Sequence, residues 1–294
     1  MKKVFLMVAA FGMLAMLTGC CDSSKKKTLD DYEVTENGLY CHFYNTNDGE
    51  TPQLFEKVDV DLACYINDTI TLRPVTNFVL TMREPGFYSD YMEGIGKMHK
   101  GDSASFIVDI DSTGLYVFNW MRLPKGLTSN DVMKFEVKVN DIYSAKDYAI
   151  RLGNSFKERY PQESERAYAE LQQYFAMNNI VASHTETGLY YVMTEEGTGE
   201  RPNNGDIVKV HYTGKLLDGT VFDSSVERGE PIEFPISLGV VIPGWEEGIM
   251  MMSKGEKGVL YIPYYIGYGD RGSGPIPPFA NLIFEVELVD FQSK

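Results

Sequence analysis

Three segments between residues 34 and 142 alternate apolar and polar residues with a period of two: VDVDLACYI, SASFIVDID and MKFEVKVNDI. Successive side chains of a strand point to opposite faces of a sheet, so this alternation predicts half-buried β-strands. The pattern returns later in the chain, where Val208, Val210 and Tyr212 fall on one face and Lys209 and His211 on the other. The sequence therefore predicts two β-rich regions.

The stretch between these regions, residues 143–183, has the spacing of helices instead. Apolar residues recur there three or four positions apart, at Tyr148, Leu152, Phe156, Ala167, Leu171, Tyr174 and Phe175. Pro161 suits the first turn of a second helix, and Asn178-Asn179 suits its end. We expect two helices that link the β-rich regions. The alternative is that they pack onto one of the regions.

Within the last region, GWEEGIMMMSKG predicts a short helix from Trp245 to about Ser253, closed by Gly255. One helix among several antiparallel strands indicates the α+β class, with a sheet wrapped around the helix. We predict domains at residues 34–142 and 184–294, joined by the helical linker 143–183.

The two β-rich regions resemble each other in sequence. Four segments of the first match four of the second in the same order: NGLYCHF with TGLYYVM, KVDVDL with IVKVHY, YMEGIGKMHKGD with WEEGIMMMSKGE, and MKFEVKVNDI with LIFEVELVDF. This order predicts a duplicated fold. The copies differ in detail, because Leu62 stands at the position of Tyr212 and Tyr91 at that of Trp245.

The formal net charge of −15 and the absence of a Lys/Arg cluster after residue 33 argue against a nucleic-acid partner. The four histidines are scattered and no Cys-x-x-Cys occurs, so we expect no metal site and no cofactor. Cys41 and Cys64 form a possible disulfide, whose geometry a sequence does not reveal.

The N-terminus begins with Lys2 and Lys3, continues with an apolar run, and reaches Leu17-Thr18-Gly19-Cys20. This order is typical of an export signal. The last four residues resemble the lipobox of bacterial lipoproteins, which implies cleavage after residue 19, lipid on Cys20 and attachment to a membrane. Residues 20–33 then form a flexible tether. The alternative is a plain secretory signal.

Four ordered motifs in residues 186–294 resemble the FKBP family of peptidyl-prolyl cis-trans isomerases: HYTGKLLDGTVFDSS, VIPGWEEGIMMMSKGEKGVLYIP, YGDRGSGPIPP and LIFEVEL. The resemblance implies isomerase activity on proline-containing unfolded or partly folded polypeptides, possible binding of macrolide inhibitors, and no cofactor. The first region resembles a degenerate copy of the same domain.

The family's pocket residues carry over individually. The resemblance implies that the catalytic set is Tyr212, Phe222, Asp223, Trp245, Tyr268 and Phe284. It implies that the substrate-binding set is Ile232, Phe234, Val241, Ile242 and Ile276. Ile232 and Pro275 depart from the common pattern, which bears on substrate preference and macrolide affinity.

Isomerisation of an X–Pro bond needs no bond to break, because the amide only has to twist. An apolar aromatic pocket favours the less polar twisted amide, with Trp245 expected under the proline ring. The resemblance implies that the N–H of Ile242 donates to one substrate carbonyl, and we expect the Tyr268 hydroxyl to donate to another. A carboxylate beside aromatic rings needs a hydrogen bond, so we expect the Tyr212 hydroxyl to bind Asp223. Taken singly, Tyr212 and Trp245 also suit ordinary core packing, and Asp223 suits a turn.

Two functions follow from these observations. The first is an isomerase that assists the folding of exported proteins and is lipid-anchored at the bacterial cell envelope, on its periplasmic or surface face. The second is a non-catalytic chaperone or peptide-binding scaffold at the same location. The first β-rich region motivates the second function, because it keeps the sheet-forming segments but lacks VFDSS and the proline-rich loop.

Overall fold

The computed structural model describes residues 29–70 and 74–293. The chain divides into two compact units, residues 1–32 and 33–294. In the first unit the described part contains one 3₁₀ turn, Leu29–Asp31. The predicted signal (1–19), Cys20 and most of the tether (20–33) lie outside the described residues. Among the helices of the described part, none has the length and apolar character needed to cross a bilayer.

Residues 33–143, here called the first half, form a seven-stranded antiparallel sheet with two short helices. Its strands are β1 (Glu33–Val34), β2 (Tyr40–Asn45), β3 (Lys57–Ile66), β4 (Thr69–Ile70), β5 (Val75–Thr81), β6 (Ser103–Val108) and β7 (Met133–Tyr143). Its helices are α1 (Met92–Ile95) and α2 (Ile110–Tyr116). The strand order is β1-β2-β6-β7-β3-β4, and β5 also pairs with β3.

Residues 183–293, the second half, contain another seven-stranded antiparallel sheet. Its strands are β8 (Ser183–His184), β9 (Tyr190–Glu195), β10 (Ile207–Leu216), β11 (Val221–Ser224), β12 (Ile232–Pro235), β13 (Lys257–Ile262) and β14 (Leu282–Gln292). Helices α5 (Ser225–Arg228) and α6 (Pro243–Met251) also belong to it. The order is β8-β9-β13-β14-β10-β11, and β12 also pairs with β10. The two sheets therefore have the same strand order, and the predicted α+β class is confirmed.

The two sheets also agree in local detail. The turn before β2 is closed by a bond from the Thr35 N–H to the Leu39 carbonyl, 2.9 Å long, and the turn before β9 by Thr185 to Leu189, also 2.9 Å. Between β3 and β7 the register shifts at Asp59/Val60, and between β10 and β14 it shifts at Lys209/Val210. The irregularity in strand pairing therefore falls at corresponding positions of the two sheets.

Each sheet wraps around its helix as expected. In the first half Met92 and Ile95 of α1 share a buried core with sheet residues, and in the second half Trp245 and Ile249 of α6 do so. Helix α6 begins and ends two residues earlier than predicted. Pro243 occupies its first turn, where a missing N–H costs nothing, and Met252 already has extended backbone. Gly255 lies in the following turn instead of closing the helix.

The two central helices are α3 (Ala145–Arg159) and α4 (Pro161–Asn178). Pro161 opens α4 and Asn179 ends it, as predicted, and the backbone of Asn179 has the left-handed conformation. Leu171 and Phe175 of α4 bury against Tyr261 and Ile283, on the outer face of the second sheet. The helices thus connect the two halves in sequence and also pack onto the second half. The predicted linker and the alternative, packing onto one β-rich region, each describe part of the arrangement.

The two cysteines of the described part, Cys41 and Cys64, are buried, and no disulfide joins them. Burial raises the pKa of the Cys41 thiol to about 11, so it stays protonated at neutral pH. The disulfide considered from the sequence is therefore absent from this structure.

Candidate functional site

Strand β10 directs Tyr212 into the core of the second half, where it meets Trp245 at the start of α6. The two ring centroids lie 5.0 Å apart with planes at 87°. Tyr212 is 7% exposed and Trp245 is 3% exposed. The indole Nε1 of Trp245 is buried and has no hydrogen-bond partner among the described residues. A strand and a helix far apart in sequence thus bring together two of the predicted residues.

Three phenylalanines extend this pair into a ring cluster. Phe284 of β14 lies 5.2 Å from Trp245 and 5.5 Å from Phe222, measured between ring centroids. Phe234 of β12 lies 5.9 Å from Trp245. Most of these pairs are edge-to-face, the geometry that aromatic quadrupoles favour. We call these five residues, Tyr212, Phe222, Phe234, Trp245 and Phe284, the ring cluster.

The close approach of Phe222 and Phe284 depends on Gly214 of β10. A Cβ built on Gly214 would lie 2.6 Å from Cζ of Phe222 and 2.8 Å from Cε1 of Phe284. Real Cβ atoms do not come that near, so a residue with a side chain at this position would displace one of the two rings.

Asp223 lies at the edge of the ring cluster and is bound from two sides. The Tyr212 hydroxyl donates to Oδ2 and the Arg228 guanidinium binds Oδ1. Arg228 also donates to the Tyr212 hydroxyl oxygen at 3.1 Å. The expected bond between Tyr212 and Asp223 is thus present. We call these three residues the Tyr212–Asp223–Arg228 triad.

The triad shifts the protonation of its members. Partial burial by itself would raise the pKa of Asp223, but the bonds from Tyr212 and Arg228 outweigh it and lower that pKa below its ordinary value. Burial, followed by the bond to Asp223, raises the pKa of the Tyr212 phenol to about 12. At neutral pH the site therefore holds a carboxylate and a protonated phenol.

The two serines after Asp223 explain how the triad is built. Ser224 caps α5 by accepting from the Glu227 N–H at 3.2 Å, so the Asp-Ser-Ser segment is also the start of a helical turn. Ser225 Oγ accepts from the Tyr212 N–H at 2.7 Å and ties this turn to β10. The single turn of α5 brings Arg228 back onto Asp223.

The remaining predicted residues lie around the ring cluster at different depths. Ile276 is buried in the same core, while Ile232, Val241 and Ile242 are half-buried and pack against it. Tyr268 is 37% exposed. Burial, and after it the charge of Asp223, raises the pKa of the Tyr268 phenol.

Two neighbours of the site were not predicted from the sequence. Arg228 completes the triad, and its only sequence signal is its place one helical turn after a capping serine. Glu246 follows Trp245 in α6 and is 7% exposed, although a helix-start glutamate is usually solvated. No group of His, Cys, Asp and Glu in the described part of the chain is arranged to hold a metal ion.

A cavity of about 670 Å³ lies elsewhere in the chain, between α3, α4 and the edge of the second sheet. Its lining includes Ser164, Tyr190 and Tyr265 and no member of the ring cluster. The polar groups around Asp223 and the packed rings, not this cavity, form the candidate site.

Residues 198–289 match the FKBP-type peptidyl-prolyl cis-trans isomerase family. This chain is 51% identical over 109 residues to FK506-binding protein 2 of Yarrowia lipolytica, an alignment covering 37% of this chain and 76% of that protein. The chain belongs to the FKBP family. The matched stretch contains the whole ring cluster and the triad.

Two bacterial FKBP relatives are also similar. The isomerase FkpA of Aeromonas hydrophila is 41% identical over 170 residues, which cover 56% of this chain and 62% of the relative. The FKBP-type 22 kDa isomerase of Escherichia coli is 55% identical over 107 residues, which cover 36% of this chain and 51% of the relative. The chain therefore spans between half and two thirds of the length of these two FKBP proteins.

Proposed function

We propose that the second half, which corresponds to the predicted domain 184–294, catalyses cis–trans isomerisation of X–Pro bonds in unfolded or partly folded polypeptides. The ring cluster beside the Tyr212–Asp223–Arg228 triad carries this proposal. A proline ring would pack on Trp245, with Tyr212, Phe222, Phe284 and Val241 as walls. Membership of the FKBP family supports the same activity.

The chemistry requires no nucleophile. The uncatalysed barrier of about 18–20 kcal/mol comes from amide resonance, which is lost when the bond twists. An apolar surround favours the twisted amide over the planar dipole, and this differential binding accelerates the rotation. The ring cluster provides that surround.

Polar groups then orient the peptide. The Ile242 N–H and the Tyr268 hydroxyl would donate to substrate carbonyls and hold the chain across Trp245. Ile232, Phe234 and Ile276 would shape the sides of the pocket and set substrate preference and macrolide affinity. Asp223 would hold Tyr212 in place and direct a negative field at the twisted amide.

A peptide isomerisation assay on the full chain tests the proposal, comparing the parent with the double variant Phe222→Tyr/Asp223→Leu. We expect kcat/KM to fall about tenfold or more, because the triad loses the carboxylate that binds Tyr212 and Arg228. A tenfold fall corresponds to a loss of about 1.4 kcal/mol of transition-state stabilisation. Glu233→Gln, an exposed change on β12, is the control. Equal rates in the parent and the double variant would show that the pocket is assigned wrongly.

A second candidate function is chaperone or scaffold binding by the first half, which we propose is a degenerate FKBP copy. Its sheet has the strand order of the second, and large apolar side chains outside the sheet stand exposed, Tyr116 at the end of α2 at 64% and Met121 in the following loop at 81%. Such side chains suit weak contact with unfolded chains. A client protein without proline separates this function from isomerisation.

We also propose that the protein is exported and held at the bacterial cell envelope by lipid on Cys20. The order of charged, apolar and small residues before Cys20 supports this. Replacing Cys20 by serine should move the protein from the membrane fraction to the soluble fraction. Retention of the serine variant in membranes would contradict the anchor.

A further inference from the structure

Lys57, the first residue of β3, is a buried cation that reaches from the first half into the second. It is 6% exposed. Its Nζ lies 3.2 Å from Oε2 of Glu246 and donates to Thr81 Oγ1 at 2.9 Å. An ion pair with both side chains below 10% exposure is uncommon, because each charge loses its hydration. The Lys57–Glu246 ion pair therefore differs from an ordinary surface salt bridge, and its buried position calls for a structural role.

Glu246 connects this cation to the candidate site. It follows Trp245 in α6, and its second oxygen, Oε1, accepts from the Gly239 N–H at 2.5 Å. Gly239 lies at the start of the short segment 239–242, which leads into α6 and carries Val241 and Ile242. One carboxylate therefore binds Lys57 with one oxygen and the backbone of this segment with the other.

The backbone of Gly239 is itself shaped to meet the first half. Its φ is +72°, in the left-handed region. A Cβ on Gly239 would lie 2.8 Å from Thr81 Oγ1 and 3.6 Å from Lys57 Nζ. Gly239 thus lies against Lys57 of β3 and Thr81 of β5, and a side chain at this position would be strained by the backbone conformation and would crowd Thr81.

These contacts place three groups in a chain: Lys57 of the first half, the Glu246 carboxylate, and the Gly239 N–H. Without Lys57 the carboxylate would be a buried, poorly compensated anion. It would turn toward water, and the bond to Gly239 would be lost with it. The position of Val241 and Ile242 relative to Trp245 would then be less defined.

We propose that Lys57 is a positioning residue for the peptide-binding segment 239–242, so that the first half fixes the geometry of a site located in the second. This inference rests on the proposed isomerase function for its kinetic consequence. It assigns the first half a role that does not depend on a pocket of its own.

The test compares Lys57→Met with Lys57→Arg in the full chain, at a temperature where both are folded by circular dichroism. The first readout is hydrogen exchange of the Gly239 amide, which we expect to be about tenfold faster in Lys57→Met and near the parent rate in Lys57→Arg. Lys209→Met removes an exposed cation paired with Glu233 at 2.7 Å and is the control.

The second readout is the isomerisation of a proline-containing peptide. Since the segment carries binding groups, we expect KM to rise about fivefold in Lys57→Met with kcat changed less than twofold. A loss of fold stability alone would change neither the KM nor the kcat of the molecules that remain folded. Lys57→Arg should restore the parent KM.

If Lys57→Met does not fold, Lys57→Gln provides the comparison, because it removes the charge while keeping a donor; we expect faster Gly239 exchange there too. Parent-like Gly239 exchange in the folded variants would overturn the proposal. Should the parent show no isomerase activity, the proposed function would fail, whereas the exchange measurement would still decide the role of Lys57.

Discussion

The two halves of this FKBP chain place aromatic residues at corresponding points of their two sheets, with different surroundings. In the first half Phe135 of β7 faces Tyr91 at 5.0 Å, and Phe118, which itself stacks on Trp120, lies over Phe135 at 6.4 Å. In the second half Phe284 of β14 faces Trp245 and Phe222. The aromatic residues of the first half are covered by the loop that carries Phe118 and Trp120. Those of the second half are bordered by Asp223 and by half-exposed residues.

Two positions on one strand account for much of this difference. Leu62 and Cys64 of β3 pair with Val137 and Phe135, as Tyr212 and Gly214 of β10 pair with Val286 and Phe284. Leu62 has no hydroxyl to bind a carboxylate, and Cys64 places a side chain where Gly214 leaves space for Phe222. The comparison teaches that a shared backbone permits the site, while a few side chains decide whether it forms.

The largest expected effect comes from replacing Tyr212 and Gly214 of β10 by residues like those at the matching positions of β3. In the double variant Tyr212→Leu/Gly214→Ala, the triad loses its hydroxyl and the new Cβ displaces Phe222 or Phe284. We expect kcat/KM for a proline-containing peptide to fall about 100-fold, the size of effect that misplaced pocket groups produce.

The reciprocal change Cys64→Gly is the control for that variant, and it should leave kcat/KM within about twofold of the parent. Thermal unfolding of both variants shows whether each is folded at the assay temperature. Retained activity in a folded Tyr212→Leu/Gly214→Ala protein would mean that the ring cluster is core packing and not a catalytic site.

Two features of this site were predictable from local sequence, whereas the full set of pocket residues came from the resemblance to the FKBP family. The alternation in β10 placed Tyr212 inward, and Val208 and Val210 are indeed fully buried. The bond between Tyr212 and Asp223 followed from the cost of a carboxylate beside rings. These inferences succeeded because strand period and motif spacing act over a few residues.

Contacts between distant segments were not predictable in this way. Lys57 and Glu246 are 189 residues apart, and no periodicity links a strand start in one half to a helix in the other. Arg228 was missed because a four-residue helix leaves almost no pattern. The prediction that α6 starts at Trp245 is wrong by two residues, because Pro243 is the stronger helix-start signal.

A smaller effect is expected from the exposed apolar residues of the first half. The variant Tyr116→Ser/Met121→Ser should suppress aggregation of a proline-free client about half as well as the parent, since it removes apolar surface available to unfolded chains. Its kcat/KM on a short peptide should stay within about twofold of the parent.

Tyr168→Ser is the matched control, because Tyr168 is 61% exposed on α4 and lies outside the first half. Aggregation would be measured by light scattering at equal protein concentrations. If the Tyr116→Ser/Met121→Ser protein suppresses aggregation as well as the parent does, chaperone binding by this surface is wrong, and the first half retains only its contact with the segment 239–242.

The smallest expected effect is that of pH. Its measurement distinguishes catalysis by the negative field of Asp223 and by substrate orientation from catalysis by proton transfer. Asp223 has a lowered pKa, so its contribution to stability is present above about pH 4 and is lost as the pH falls through the folded value. Tyr212 has a pKa raised to about 12, so its contribution is present below about pH 10 and is lost as the pH rises toward 12.

Between about pH 5 and 9 neither group titrates, and kcat/KM should be constant. Asp223→Asn should have a lower plateau of the same shape, because the negative field is lost while no proton is moved. A bell-shaped profile within this range would instead indicate acid–base catalysis, and the second half would then differ from the first by a titrating group and not by its rings.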